Sequence, residues 1–418
     1  MKRRNMDSEK LAILKLSRTF GFTSTVFYRL LRGGYTVRDM VEKIDQVCRK
    51  DVKICSDENI QLELEKCNKL GAKLITCKDN EYPRSLMMVP PFPLVLTCLG
   101  NTKLLAGERR VAIVGSRECS INTFNFTKAV ARKISSYGYI VVSGLAKGVD
   151  AASHIGSLEN GTIAILGNSI ENVYPRENEY LYQKILESNG LLVSEFPLGT
   201  RPKPENFPIR NKTIAGMSRG VLIVSAGLGS GSLYTANQAL KYNREVLVFP
   251  GSPYDTNYIG SNKLIQQGAT IVLTVEDVIE NLESSTVPGP ETINFRDLCP
   301  GPSIEPGKEG PPEPSLKLNY GDSWFYRGGQ TPTENCDEIP GDDESTVQQD
   351  PEQQTVEELL LSKLDYYPID IAMLVDSVSL DVGEINATLM KLSLEGKISI
   401  EHGKVCRLRV GPGDIPKP

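Results

Sequence analysis

Histidine is scarce in this sequence of 418 residues, which contains only His154 and His402. Its nine cysteines are scattered, and no two of them form a C-x-x-C pair. Structural zinc sites and disulfide frameworks both require cysteines or histidines at characteristic spacings, so neither is expected. The sequence therefore predicts a protein that holds no metal, and we also expect no cofactor.

Long apolar runs are also absent from the sequence. No window approaches 18 uninterrupted apolar residues, and the basic N-terminus lacks an apolar stretch that ends in a small-residue cleavage site. Hydrophobic residues make up 40% of the chain and charged residues 24%, as is typical of globular proteins. We therefore expect a cytoplasmic protein with no membrane partner.

Negative charge is concentrated in one part of the chain. The formal net charge is −5, but residues 284–353 carry 14 Asp and Glu against 4 Lys and Arg, together with 11 of the 26 prolines. Such a composition cannot bury enough apolar surface to offset the entropy lost on ordering, so we expect a disordered, acidic, Pro-rich linker at 284–353. The rest of the chain is mildly basic, which keeps a nucleic-acid partner possible.

Short runs of valine, isoleucine and leucine alternate with helical patterns between residues 109 and 283. Nearly continuous apolar runs of this length are typical of strands that are buried on both faces of a parallel sheet, and the intervening segments are long enough for crossover helices. The predicted fold class is α/β, with a doubly wound, mostly parallel sheet. The seven predicted strands are RRVAIVGS, YIVVSG, TIAILG, LLVSEF, GVLIVSA, REVLVFPG and TIVLT.

Two smaller parts flank this region. Residues 1–75 follow a helical pattern and are predicted to form a small helical domain before the α/β domain at 76–283. Residues 354–410 show three helical patterns and then two short strands, the order of a winged-helix module. Such modules bind DNA or a protein, and both options stay open. The longest helix carries few cations, which gives poor support to reading of the major groove.

Four loops rich in glycine, serine and cations follow strands of the predicted sheet: GSR at 115–117, SGLAKG at 143–148, FPIRNK at 207–212 and GLGSGS at 227–232. Parallel strands end at one edge of a sheet, and glycine lets backbone N–H groups approach an anion, so the loops predict an anion-binding rim. FPIRNK places an aromatic ring beside cations at a helix start, which suits stacking on a base. Alternatively, the glycines only make tight turns, Phe207 belongs to the core and Arg210 is a surface cation.

The motifs of this region resemble those of the DNA processing proteins, the DprA or Smf family. The resemblance covers about residues 76–283, where VAIVGSRECS, VSGLAKGVDAASHIGSL, SEFPLGTRPKPENFPIRNKTIAGMSRGVLIVSA, SGSLYTANQAL and REVLVFPG occur in the family's order. It implies a Rossmann-like core that binds single-stranded DNA, forms a homodimer and recruits the RecA recombinase in natural transformation, without being an enzyme. It also implies a SAM or helix-hairpin-helix-like domain at 1–75 and a winged helix at 354–410.

The resemblance and the residue chemistry together predict the contacts to single-stranded DNA. We expect the cations to contact phosphates, Phe207 to stack on a base, and the Ser and Gly turns to donate backbone N–H bonds. Two positions depart from the family pattern, because Lys212 replaces a common arginine and Ser225 a frequent acidic residue. The predicted DNA-binding residues are Gly115, Ser116, Arg117, Ser143, Gly144, Lys147, Lys203, Phe207, Arg210, Asn211, Lys212, Ser230 and Gly231.

A nucleotide-using enzyme of Rossmann or lysine-decarboxylase-like type is the alternative. A dehydrogenase is disfavoured because GSRECS lacks the later glycines of G-x-G-x-x-G and the second strand ends without an acidic residue. A hydrolase is disfavoured because residues 227–244 contain no carboxylate and no histidine. We expect His154 to be a packing residue and Asp150 to favour a helix start, whereas Glu195 could orient Arg210. No catalytic residue is predicted.

Overall fold

The computed structural model describes residues 7–44, 48, 52–285, 355–365, 367–378, 380–401 and 403–408. These residues fall into two compact units, which contain residues 7–285 and 355–408. Apart from its first two residues, the predicted linker at 284–353 lies outside the described residues. No helix in the described part of the chain is both long and apolar enough to cross a membrane.

The first unit combines an N-terminal group of helices with an α/β sheet. Its helices are α1 (Ser8–Ser17), α2 (Ser24–Arg32), α3 (Val37–Glu42), α4 (Asp57–Leu70), α5 (Arg84–Met87), α6 (Ile121–Ser136), α7 (Val149–Ser157), α8 (Glu179–Glu187), α9 (Asn206–Met217), α10 (Gly231–Lys241), α11 (Ile259–Gln266) and α12 (Val275–Ser284). Its strands are β1 (Lys73–Thr76), β2 (Val95–Gly100), β3 (Arg110–Val114), β4 (Ile140–Ser143), β5 (Thr162–Leu166), β6 (Leu191–Ser194), β7 (Gly220–Ile223), β8 (Glu245–Val248) and β9 (Thr270–Ile271).

The nine strands form one sheet in the order β1-β2-β6-β5-β4-β3-β7-β8-β9. The strands from β6 to β9 pair in parallel, whereas β1 and β2 join the β6 edge in antiparallel orientation. All residues of β3, β5 and β7 are buried, as expected for strands covered by helices on both faces. The predicted doubly wound, mostly parallel sheet is confirmed, and its seven predicted strands are β3 to β9.

The reversal of strand order positions the functional loops. From β3 the chain proceeds through β4, β5 and β6 on one side, and then returns to place β7 on the other side of β3. Loops that leave β3 and β7 at their carboxyl ends therefore diverge to opposite faces of the sheet. The resulting crevice is where open α/β sheets bind their ligands.

The N-terminal helices share a hydrophobic core with the sheet. Leu14 of α1 and Phe27 of α2 are fully buried, and they belong to the same cluster as Leu96 of β2 and Val193 of β6. Strand β1 also crosses the predicted boundary between residues 75 and 76. The helical character of the N-terminal part is confirmed, whereas the domain boundaries stay predictions.

The second unit has the order of elements that the sequence predicts for a winged helix. Its elements are α13 (Val356–Lys363), β10 (Ile369–Asp370), α14 (Ile371–Asp376), α15 (Val382–Leu394), β11 (Ile398–Glu401) and β12 (Lys404–Arg407). The strands β11 and β12 pair as an antiparallel hairpin, and β10 adds to the other side of β12. The short β10 was not predicted, because two residues show no alternation of polar and apolar side chains.

Candidate nucleic-acid interface

An open cleft of about 460 Å³ lies at the carboxyl ends of β3 and β7, where the strand order reverses. Its walls come from the loop after β3, the start of α7, the first half of α9 and the glycine-rich loop after β7. This place in the topology makes the cleft the candidate site. The predicted residues that line it are Gly115, Ser116, Arg117, Arg210, Asn211, Ser230 and Gly231.

Gly115 allows the loop after β3 to pack closely against its neighbours. A Cβ atom on Gly115 would lie 2.7 Å from a methyl group of Val149 and 2.8 Å from the carbonyl oxygen of Ser225, so a larger residue does not fit. The Ser116 N–H donates to the Ser225 carbonyl at 2.9 Å, and the Ser116 hydroxyl donates to the Glu118 carbonyl at 2.8 Å. Both hydrogen-bond donors of Ser116 are therefore used within the protein. The predicted DNA contact of Ser116 would need other atoms or a rearrangement of the loop.

The glycine-rich loop after β7 leads into the N-terminus of α10. Ser230 caps this helix, because its Oγ accepts from the Ser232 N–H at 3.3 Å. Gly229 and Gly231 are exposed beside the cleft. A helix N-terminus attracts anions, since its first N–H groups lack partners within the helix. Asn211 ties α9 to this loop by donating from Nδ2 to the Gly231 carbonyl at 3.3 Å.

Arg210 lies beneath the rim. Only 4% of the residue is exposed, and burial lowers the pKa of its guanidinium to about 10. Its Nη1 donates to the Gly144 carbonyl at 2.5 Å and to the Ile165 carbonyl at 2.8 Å, while Nε donates to Asn211 Oδ1 at 2.9 Å. The side chain therefore joins the ends of β4 and β5. The predicted phosphate contact of Arg210 stays a prediction, but this guanidinium already has a structural role.

The aromatic ring of Phe207 lies next to the ring of Tyr174, and we call these two residues the Tyr174–Phe207 pair. The two ring centroids lie 5.5 Å apart at an interplanar angle of 34°. The guanidinium carbons of Arg117 and Arg210 lie 5.6 Å and 5.7 Å from the Phe207 centroid, within the range of cation–π contacts. Phe207 also packs on Gly167, because a Cβ atom there would lie 2.8 Å from Phe207 Cδ1. Phe207 is therefore half-buried rather than fully presented to a ligand.

Sequence reasoning missed Tyr174. It lies between β5 and α8, and 42% of the residue is exposed. The predicted rim included the loops that follow β3, β4, β6 and β7 but not the loop that follows β5. Because β5 is parallel to β4 and β6, the loop after β5 lies at the same edge of the sheet as the predicted rim. The tyrosine of NVYPREN in this loop could therefore have been included from the sequence.

Six predicted contacts lie outside the lining of the cleft, namely Ser143, Gly144, Lys147, Lys203, Phe207 and Lys212. Ser143 and Gly144 are buried, and the Ser143 hydroxyl donates to the Ile113 carbonyl at 2.7 Å. A Cβ atom on Gly144 would lie 2.6 Å from the guanidinium carbon of Arg210, which explains the glycine. Lys147 is exposed and pairs with Glu177 at 2.5 Å, and Lys203 is exposed between β6 and α9. Their predicted contacts with DNA stay predictions.

Besides Arg210, the ionisable residues Asp150, His154 and Glu195 are buried, and Asp150 lines the cleft. Asp150 Oδ2 accepts from the Gly144 N–H at 3.1 Å, and burial raises the pKa of its carboxyl. Burial lowers the pKa of His154 to about 3, so the imidazole is neutral between Thr162 and Leu145. This arrangement agrees with the expectation that His154 is a packing residue.

Glu195 is the third buried ionisable residue. Burial raises the pKa of its carboxyl to about 7, although the hydrogen bond from Thr213 and the charges of Lys212 and Arg210 oppose the shift. Its Oε1 accepts from the Thr213 hydroxyl at 2.8 Å. The carboxyl therefore bonds to α9 beside Arg210 and acts on the guanidinium through its charge.

Family models match both units of the chain. The model described as DNA recombination-mediator protein A matches residues 73–283, and the DprA winged helix domain matches residues 344–404. The chain belongs to the DprA family. The protein Smf of Synechocystis sp. is 31% identical over 355 residues, which cover 81% of this chain and 81% of that relative. The DNA processing protein DprA of Bacillus subtilis is 37% identical over 219 residues, which cover 52% of this chain and 73% of that relative.

A solved structure is similar to this member of the DprA family. The X-ray structure of DprA from Streptococcus pneumoniae superimposes with a TM-score of 0.54 at 31% sequence identity. The match covers 67% of this chain and 98% of that chain. The identity and the shared architecture together confirm the Rossmann-like α/β fold that the motifs imply.

The two departures from the DprA pattern have different surroundings. Lys212 is half-buried, and its charge opposes the effect of burial on the pKa of Glu195. Ser225 is fully buried, and its Oγ has no hydrogen-bond partner among the residues that the structure describes. A carboxylate at position 225 would be desolvated here, so serine avoids the cost of a buried charge.

Few carboxylates line the cleft. The carboxylates that line it belong to Glu118 and Asp150, and Asp150 is used in the turn at Gly144. Among the described residues, no group of three or more His, Cys, Asp or Glu could hold a metal ion. The cleft offers cations and backbone N–H groups that can bind an anion, and Tyr174 and Phe207 lie outside its lining.

Proposed function

We propose that this member of the DprA family binds single-stranded DNA with little sequence preference and loads the RecA recombinase onto the strand. It acts as a homodimer through its Rossmann-like core and without chemical turnover. The observation that carries this proposal is the grouping of exposed cations, an aromatic pair and an open helix N-terminus at one edge of the sheet. These groups match the phosphates and the bases of an unpaired strand.

The exposed cations supply the phosphate-binding part of the site. Arg117, Lys147 and Lys203 are exposed on loops that follow β3, β4 and β6, all of which end at the same edge. The start of α10 adds backbone N–H groups, which also favour anions. Phosphate contacts carry no sequence information, so binding through them is indiscriminate.

The Tyr174–Phe207 pair supports a preference for single-stranded over double-stranded DNA. Aromatic side chains stack on the faces of bases, and in a duplex the neighbouring base pairs already cover these faces. Tyr174 is 42% exposed beside Phe207, so it offers an aromatic surface that a duplex cannot use. Stacking tolerates any base, because every base has a π-face.

The groups that line the cleft support the proposal that the protein acts without chemical turnover. A general acid or base must reach the reacting group, and catalytic sites commonly present such a group within hydrogen-bond distance. Of the two carboxylates that line the cleft, Asp150 is buried and accepts a backbone bond, and Glu118 is exposed to solvent. His154 is fully buried. These positions support binding over catalysis.

The second unit carries more negative than positive charge, which disfavours DNA binding by this unit. Residues 355–408 contain nine Asp and Glu against five Lys and Arg. Because affinity for DNA comes largely from cations that neutralise phosphates, we assign the binding of the strand to the first unit.

Binding of oligo-dT across a range of salt concentrations tests the proposed function. The protein should bind the strand more tightly than its duplex form, and dinucleotides should not compete at equal nucleotide concentration. Replacing Arg117 with alanine should reduce the slope of log K against log salt by about 0.7, because one fewer counterion is released. Arg132→Ala, which removes an exposed cation on α6 that is paired with Glu159, is the matched control. Equal affinity for strand and duplex, or competition by a dinucleotide, would contradict the proposal.

The loading of RecA is tested separately from DNA binding. Adding the protein to strands coated with single-strand-binding protein should speed the assembly of filaments by the cognate RecA. ATP hydrolysis by RecA, which depends on the filament, provides the readout, and the duplex serves as the control. If the protein binds oligo-dT but leaves the assembly rate unchanged, it is a passive binder rather than a loader.

The molar mass of the protein in solution tests the proposed homodimer. Light scattering of the purified chain, which has a mass of 46.0 kDa, should give twice that value. A chain truncated after Ser285 should also be dimeric, because the proposal places the contact in the Rossmann-like core. A dimer that is lost with the winged helix would place the contact elsewhere.

A further inference from the structure

We propose that Tyr174 presents the base-stacking face of the interface and that Phe207 is the positioning residue beneath it. This inference rests on the proposed function and assigns a new residue to that site. The two rings lie 5.5 Å apart at 34°, and Tyr174 is 42% exposed whereas Phe207 is half-buried. The exposed ring of the pair therefore belongs to Tyr174.

Phe207 is surrounded by groups that a base would have to displace. Tyr174 lies beside its ring, and Gly167 lies so close that a Cβ atom would be 2.8 Å from Phe207 Cδ1. The guanidinium carbons of Arg117 and Arg210 lie within 5.6 Å and 5.7 Å of its centroid. Arg210 cannot move aside without breaking its bonds to the carbonyls of Gly144 and Ile165. Phe207 is thus a support for its neighbours.

Tyr174 has the surroundings of a stacking residue. Packing on Phe207 restricts its ring before the ligand arrives, which reduces the entropy that binding would otherwise cost. Arg117 lies at the Phe207 ring and is exposed, so the phosphate next to a stacked base has a cation nearby. Tyr174 follows β5, whose neighbours β4 and β6 carry the loops with Lys147 and Lys203. A strand that crosses this edge of the sheet would meet cations on both sides of the ring.

A tryptophan reporter tests whether position 174 stacks on a base. The chain has a single tryptophan, Trp324, so Tyr174→Trp combined with Trp324→Phe places one fluorophore at the site. Oligo-dT should quench its emission in a saturable manner, and the duplex should not. Tyr180→Trp in the same background is the matched control, because Tyr180 is 72% exposed on the neighbouring helix α8. Equal quenching at both positions would overturn the proposal.

Affinity measurements complete the test. Tyr174→Ala should weaken the binding of oligo-dT by about 5- to 150-fold, the range for the loss of one aromatic stacking contact, and leave the salt slope unchanged. Tyr174→Phe should bind like the unmodified protein, and Tyr180→Ala should have no effect. An unchanged affinity of Tyr174→Ala, in a protein that binds oligo-dT, would overturn the role of Tyr174. Failure of the unmodified protein to bind oligo-dT would instead contradict the proposed function.

Discussion

Replacing Arg210 with alanine is expected to lower the free energy of unfolding by about 3 kcal/mol. The side chain is buried, and its guanidinium donates to the carbonyls of Gly144 and Ile165. Alanine leaves both buried acceptors without this donor and removes the positive charge that favours ionised Asp150. Since whole domains are stable by only about 5 to 15 kcal/mol, the loss is large.

Urea unfolding and the melting temperature measure this effect. Arg132→Ala is the matched control, because it removes an exposed ion pair to Glu159, which contributes at most about 1 kcal/mol. Arg210→Lys should recover only part of the stability, since an ammonium group cannot reproduce the planar geometry of the guanidinium. If Arg210→Ala were as stable as the unmodified protein and had a shallower salt slope, Arg210 would be a phosphate contact rather than a structural residue.

The predictable part of the fold depends on patterns within single segments. The runs at β3 to β8 are nearly continuous in apolar residues, which predicts their burial on both faces and their parallel pairing. The loops that follow parallel strands must then lie at one edge. This reasoning predicts that Gly115, Arg117 and Ser230 lie close to one another, and all three line the cleft.

The burial of particular side chains could not be predicted in this way. Arg210 is three residues beyond Phe207 in α9, and nothing in that segment shows which of the two faces the ends of β4 and β5. That choice depends on Gly144 and Gly167, which lie far away in the sequence and make room for the two side chains. The sequence therefore predicts the chemical groups of the rim but not which of them are exposed.

Replacing Glu195 with glutamine is expected to stabilise the protein at pH 8 and to change little at pH 5. Burial raises the pKa of this carboxyl from 4.5 to about 7, and the hydrogen bond from Thr213 and the charges of Lys212 and Arg210 oppose the shift. Between these two pH values the folded state holds a proton that the unfolded state has released, so stability falls as pH rises through this window. Above it, the buried carboxylate costs about 3 kcal/mol, a penalty that a neutral amide avoids.

The measurement is the difference in unfolding free energy between Glu195→Gln and the unmodified protein at several pH values. Glutamine retains an oxygen that can accept from the Thr213 hydroxyl, so the substitution changes the charge more than the packing. Glu187→Gln on α8, at an exposed residue paired with Lys184, controls for loss of a surface carboxylate. The difference for Glu195→Gln should grow between about pH 5 and pH 7 and then level off. A difference that is constant with pH would show that Glu195 ionises normally in the folded protein, and would exclude its carboxyl as a source of pH-dependent stability.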